Sequence, residues 1–225
     1  MADFTLVIGN KNYSSWSLRG WLIARFAAID FEEVIVPLDL PETQAAIRKH
    51  SPSGRVPVLL HRGLAIWESL AIAEYLNELK PEAGLWPAAP AARAHPRSIS
   101  TEKHEGFVDL RENMPMNIRA SFPGKGMTPA VRADIERITG IWRDCRKRFA
   151  GAAGAKDEGF LFGTPSAADA MYAPVVTRLK TYAVPVDSDT EAYCTAIVNH
   201  PAMKEWVAAA KNEPWLIQKY ELDTK

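Results

Sequence analysis

The sequence predicts a two-part protein: an α/β layer over residues 1–80, a linker over residues 81–92 and an all-α domain over residues 93–225. Three observations carry that expectation. Short apolar runs that read as strands all fall before Ser69 and alternate with segments of helical spacing. Lys80 to Ala92 is rich in proline and alanine, as interdomain linkers are. Beyond it the apolar residues recur at helical intervals, with no convincing strand.

Phe4 to Ile8 is an apolar run ending at Gly9-Asn10 and reads as the first strand. After a polar turn, Trp16 to Ile29 has the spacing of a helix of about four turns, with Ser14 or Ser15 as N-cap and Asp30 closing it. Phe31 to Val36 holds β-branched residues that favour a second strand. Pro41 and Glu42 start a short helix to about Lys49. A Pro-Gly turn then leads to Val56-Pro57 and a strand at Val58–Leu60. Arg62-Gly63 turns the chain into a return strand, Leu64–Ile66, and Glu68-Ser69 opens a helix carrying Ile72, Leu76 and Leu79. The order strand, helix, strand, helix, strand, strand, helix is that of a thioredoxin-like layer, whose first crossover is expected to be right-handed.

In the second half, Arg93 to Phe122 has helical spacing, with Pro115 expected to bend or interrupt it. Thr128-Pro129 supplies an N-cap and a proline in the first turn for a helix through Cys145. Gly151 to Gly159 reads as a loop. Ser166 and Asp169 form a capping box ahead of a helix through Tyr182, with a kink expected at Pro174. Helices near residues 190–199 and 202–211 follow.

Composition narrows the function. Of 225 residues, 47% are hydrophobic, ample for a core. The 27 basic and 27 acidic residues balance, so nothing draws the chain to nucleic acid or an anionic membrane. No apolar run approaches the roughly 20 residues of a membrane span, and no signal pattern opens the chain, so a cytoplasmic location is expected. Cys145 and Cys194 lie far apart without Cys-x-x-Cys spacing and are expected as core residues. His50, His61, His95, His104 and His200 show no zinc-like spacing, so no metal is expected.

The residues around the hairpin suggest a ligand. If Val56-Pro57 is cis, the backbone N–H and C=O of Val56 turn outward and can pair with an extended molecule. The first-turn N–H groups at Ser69 have no partners within their helix and carry partial positive charge, which seats a carboxylate. Glu68 beside them offers a counter-charge for an amine. Together they suit a short peptide with a free amino-acid end.

Two runs, Ser51 to Pro57 and Glu68 to Leu76, resemble the glutathione-binding half of the glutathione S-transferase family, although the asparagine usual at the start of the first run is Ser51 here. Phe160 to Asp169 resembles the start of the buried helix in the same family's helical domain, so the resemblance spans nearly the whole chain. It implies the glutathione transferase fold, glutathione as co-substrate, no metal, a homodimer, and a small electrophile as second substrate. By the same resemblance Val56 and Pro57 hold the cysteinyl backbone and Glu68 and Ser69 the γ-glutamyl group. Arg55 is expected at the glycyl carboxylate.

Ser14 to Arg19 resembles the Ser-Ser-Cys-Ser-Trp-Arg motif of the zeta class. That resemblance implies Ser15 or Ser14 as the hydroxyl donor to the glutathione sulfur. Tyr13 is a third candidate, because other classes use a tyrosine at the end of the first strand. A serine ahead of a helix is most often only a cap. Trp16 stands where the zeta motif has cysteine, which counts against maleylacetoacetate isomerisation and against a cysteine-type thiol–disulfide mechanism. It leaves thiol transfer favoured over isomerase or peroxidase chemistry, with a noncatalytic glutathione- or ligand-binding protein as the remaining alternative. The second substrate is expected between the domains, against Trp16, Arg111, Met114, Asn117 and Arg119. The plainer alternative makes Met114 and Met116 core residues and leaves Arg111 and Arg119 solvated.

Overall fold

The structure, a computed structural model, describes residues 3–151 and 156–222. Its first part is a four-stranded sheet of β1 (Phe4–Ile8), β2 (Phe31–Ile35), β3 (Val58–His61) and β4 (Leu64–Ile66), in the order β2-β1-β3-β4. β1 and β2 run parallel with Phe4 opposite Phe31, while β3 is antiparallel to both β1 and β4. The two-residue period of a strand sorts the side chains. Leu6, Ile8 and Leu59 enter the main core, whereas Val7 and Val58 meet Val36 and Ile47 on the other face.

α1 (Ser15–Phe26) connects β1 to β2, α2 (Thr43–Arg48) follows β2, and α3 (Ser69–Leu79) follows the hairpin. α1 is buried over most of its length because α3 and a helix of the second domain both pack on it. The close approach at Gly20 fixes its height. A Cβ there would lie 2.7 Å from Pro57 Cγ, so only glycine lets α1 rest on the Val56-Pro57 peptide, which is cis.

The helical part comprises α4 (Pro90–Glu105), α5 (Val108–Asn113), α6 (Pro129–Phe149), α7 (Ala167–Thr181), α8 (Ser188–Asn199) and α9 (Pro201–Lys211). α7 is its buried axis and packs against both α1 and α4. The capping box is present, with Ser166 Oγ donating to Asp169 Oδ2 at 2.6 Å. Cys145 and Cys194 are buried and unbonded to each other.

Several boundaries differ from expectation. α1 stops at Phe26, because Ala28 adopts a positive φ of 50° and turns the chain before Asp30. α4 begins at Pro90, inside the expected linker, with proline in its first turn. The long helix expected over residues 93–122 is broken at Gly106-Phe107, where Phe107 has φ 58°. It ends at Asn113, so Pro115 lies in an irregular segment and bends no helix. α7 continues through Pro174. Of the loop expected over residues 151–159, residues 152–155 lie outside the described residues.

Candidate active site

The loop between β1 and α1 is held from three sides. Gly9 N–H donates to Ser17 Oγ at 2.8 Å, and Leu38 N–H donates to Asn10 Oδ1 at 2.7 Å. The Glu213 carboxylate accepts from the N–H groups of Lys11 and Asn12 at 2.6 and 2.9 Å. Burial pushes the Glu213 carboxyl up, against the pull of those two N–H groups.

Ser14 is the N-cap of α1. Its Oγ accepts from Ser17 N–H at 3.2 Å and donates to Ser17 Oγ at 2.8 Å. No acidic residue stands in the first turn of α1 to offset its partial positive charge. Ser14 and Trp16 form one wall of a cavity of about 300 Å³ whose opposite wall is Arg55, Val56, Pro57 and Glu68. Ser15 is the first helical residue and does not line that cavity.

Glu68 is flanked by two side chains from different parts of the chain, one arginine and one histidine. Arg55 Nη1 lies 3.8 Å from Oε1, and His104 Nε2, on α4, lies 2.7 Å from Oε2. Burial pulls the His104 imidazole below its ordinary value, with the Glu68 carboxylate acting the other way. The Trp67-Glu68 peptide is cis. Glu68 is the N-cap residue of α3 but makes no side-chain cap, so the first-turn N–H groups of that helix lack a capping side chain. The Ser69 hydroxyl is buried and points toward Met171 Sδ at 3.6 Å.

The other expected residues are placed elsewhere. The Tyr13 hydroxyl donates to Glu221 and accepts from Arg119 Nη2 at 2.9 Å, and it does not line the cavity. Burial, the first cause, and the Glu221 bond raise its pKa, unfavourable for a donor that must stabilise an anion elsewhere. Of the five residues expected at the second-substrate site, only Trp16 reaches the cavity. Met114 is wholly buried, and Asn117 is buried with its amide on Tyr220 O, Glu221 Oε1 and Asn12. Arg119 donates to the carbonyls of Glu213 and Trp215 at 2.6 and 2.9 Å. Arg111 donates to the carbonyls of Gly106 and Glu105 at the break between α4 and α5. The reason is common to Met114, Asn117 and Arg119. Residues 114–122 are irregular and take their hydrogen bonds from the loop before α1, from α7 and from residues 213–221, so side chains that a helix would have presented are spent on ties.

Leu38, Gln44 and Ile47 line the cavity without having been anticipated. Gln44 and Ile47 sit on α2, whose sequence shows only a short amphipathic helix. His104 was missed for a plainer reason: it is one histidine on a long helix, and its meeting with Glu68 is made by domain packing.

Comparison with known proteins follows the same division into two parts. Residues 13–79 match the family described as "Glutathione S-transferase, N-terminal domain" and residues 128–209 match "Glutathione S-transferase, C-terminal domain". A probable maleylacetoacetate isomerase of Caenorhabditis elegans is 37% identical over 100 residues, which is 44% of this chain and 46% of that protein. A dichloromethane dehalogenase of Methylorubrum extorquens is 42% identical over 60 residues, 26% of this chain and 21% of that protein. The matched stretches thus span about half or less of these curated relatives. The crystal structure of a glutathione transferase homolog from Burkholderia gl BGR1, with bound glutathione, superposes with a TM-score of 0.67 at 22% identity, covering 95% of this chain and 100% of that one. Matched in both of its parts and alike in fold throughout, the chain belongs to the glutathione S-transferase family.

Proposed function

We propose that this protein is a glutathione transferase, which ionises the glutathione thiol at the start of α1 and adds it to a small electrophile. The observation that carries the reading is one cavity bounded by Ser14, by the cis Val56-Pro57 unit and by Glu68. Those are the features an extended peptide with an amino-acid end needs: a strand-like edge, a counter-charge for its amine, and a hydroxyl at a positive helix end for its sulfur.

Energetics favour this assignment. A free thiol with pKa about 8.5 is only a few per cent ionised at neutral pH. Lowering it to about 6.5 takes about 2.7 kcal/mol. One hydroxyl donating to the sulfur contributes about 1.5 kcal/mol or more. The end of α1 adds roughly 0.3 to 1 kcal/mol. Ser14 is the donor in this scheme, with its proton swinging from Ser17 Oγ to the sulfur while its lone pair keeps capping Ser17 N–H. Ser15 is the second candidate. Arg55 serves the glycyl carboxylate, the backbone of Val56 the cysteinyl unit, and Glu68 with the N–H groups at Ser69 the γ-glutamyl end. Trp16 is the apolar face offered to the electrophile. The protein works as a homodimer in this reading, and a monomeric mass by light scattering would refute that part.

One observation favours a second reading. The Ser14 proton is engaged by Ser17 Oγ, an arrangement that suits glutathione binding without activation of the thiol. Ultraviolet absorbance of the bound thiolate, followed across pH, separates the two. A bound pKa at least one unit below that of free glutathione is the expected result. An unshifted pKa with intact binding would assign the protein as a carrier, and absence of binding would overturn both readings.

A further inference from the structure

Six of the twelve buried side-chain nitrogen and oxygen atoms without a hydrogen-bond partner among the described residues belong to four neighbouring residues. They are Nε, Nη1 and Nη2 of Arg19, Oγ of Ser100, Nζ of Lys103 and Nδ1 of His104. Ser100, Lys103 and His104 share one face of α4 by their spacing of three and four. Arg19 faces them from α1: its charge acts on both Lys103 and His104, and the Trp16 ring touches both sides of the seam, 4.2 Å from the Arg19 guanidinium and 5.0 Å from the His104 ring. Arg19 and Lys103 are both 0% exposed.

An ionised group buried without a partner is among the costliest features a fold can hold. Here the neighbours make it worse. Arg111 and Arg178 add like charge, although their own N–H groups are spent on the carbonyls of Gly106, Met114 and Pro174. The nearby carboxylates are committed elsewhere. Glu68 holds His104 and Arg55, Asp134 accepts from Leu110 N–H at 3.0 Å, and Glu102 grips Arg137 with both oxygens at 2.7 and 2.9 Å. Burial first, and these like charges second, pull the Arg19 guanidinium down to about 9 and the Lys103 ammonium well below its ordinary range. The chain supplies donors and positive charge at this point, and its nearby carboxylates hydrogen-bond to other groups and not to Arg19 or Lys103.

We propose that Arg19 and Lys103, with Ser100, form an internal binding site for a small monovalent anion, a halide or a carboxylate group, in the seam between α1 and α4 beneath Trp16. The anion supplies the missing acceptor for both cations and joins the two domains at that point. Trp16 separates it from the cavity by one ring, so a carboxylate arm of a bound molecule reaches it by displacing that ring, whereas a free ion needs only breathing of the seam.

The test is the unfolding midpoint of the protein without glutathione, titrated with sodium chloride or sodium formate at an ionic strength held constant by a bulky sulfonate. A saturable rise is expected, about 5–10 °C at a hundredfold excess over the dissociation constant. It disappears in Lys103→Met and in Arg19→Met and persists in Lys211→Gln, which removes an exposed cation of α9. A rise with chloride identifies a free inorganic ion as occupant, and a rise with formate alone identifies a carboxylate. No saturable rise with either, or an equal rise in Lys103→Met, overturns the proposal. Should both methionine variants fail to fold, the wild-type protein decides the matter: where chloride gave the rise, chlorine-35 line broadening relieved by formate is expected, and where formate alone gave it, carbon-13 formate line broadening is expected; absence of the corresponding broadening overturns the site.

Discussion

α1 and α7 each start on a serine, and the two starts differ in what stands three residues later. At α7 that residue is Asp169, which accepts from Leu161 N–H at 3.0 Å, Ser166 N–H at 2.9 Å and Ser166 Oγ at 2.6 Å. The helix end is satisfied from within, and both residues are sealed in the core. At α1 the same position is Ser17, a neutral hydroxyl that accepts from Ser14 Oγ and Gly9 N–H. Its first turn carries no carboxylate, and it borders a cavity. One residue type at the third helical position thus separates a self-contained cap from one without a carboxylate at the edge of a cavity.

The largest effect is expected from breaking the closed cap. Asp169→Ala strands two backbone N–H groups and a hydroxyl inside the protein, and should lower stability by about 3 kcal/mol or more in urea denaturation. A loss below about 1 kcal/mol would mean that water replaces the carboxylate. Converting the open cap into the closed kind is the next test. Ser17→Asp places a carboxylate at the third position of α1, and the bound glutathione thiol should then titrate more than one unit higher, because helix charge and carboxylate now cancel. A thiol pKa unmoved by this change would show that the end of α1 does not act on the sulfur. Ser14→Ala should raise the same pKa by about one unit while lowering stability by about 1 kcal/mol. The smallest change, under about 0.5 kcal/mol in either measurement, is expected for Ser15→Ala. A larger effect there than at Ser14 would transfer the donor role to Ser15.

The parts legible in the sequence were those whose reasons are local. β1 ends just before Gly9, β4 starts after Gly63, α3 stops just before Pro81, and α6 opens on Thr128-Pro129, each boundary set by a residue in the local sequence. The cavity wall of Arg55, Val56, Pro57 and Glu68 comes from two adjoining stretches of chain, so a motif could announce it. Residues 114–122 depart from the expected helix because their backbone is satisfied from afar. Ile118 N–H donates to Asn12 O at 3.3 Å, Arg119 N–H to Asn12 Oδ1 at 2.9 Å, and Phe122 N–H to Thr181 O at 2.7 Å. With such partners available an irregular path loses no hydrogen bonds to a helix, and helical spacing alone cannot reveal that. His104 and the unpartnered cations between α1 and α4 were hidden for the same reason: each is an ordinary helical residue until a second domain is laid against it.

The bonds from Glu213 to Lys11 and Asn12 also set an order of events during synthesis. Their partners are separated by 202 and 201 residues of sequence. At the roughly 5–20 residues per second of a working ribosome, that separation amounts to about 10–40 s. During that interval the strand–turn–helix that presents Ser14 has left the ribosome with two N–H groups of its turn facing water. The loop before α1 is therefore among the last parts to be finished, and it is completed by the segment that follows α9.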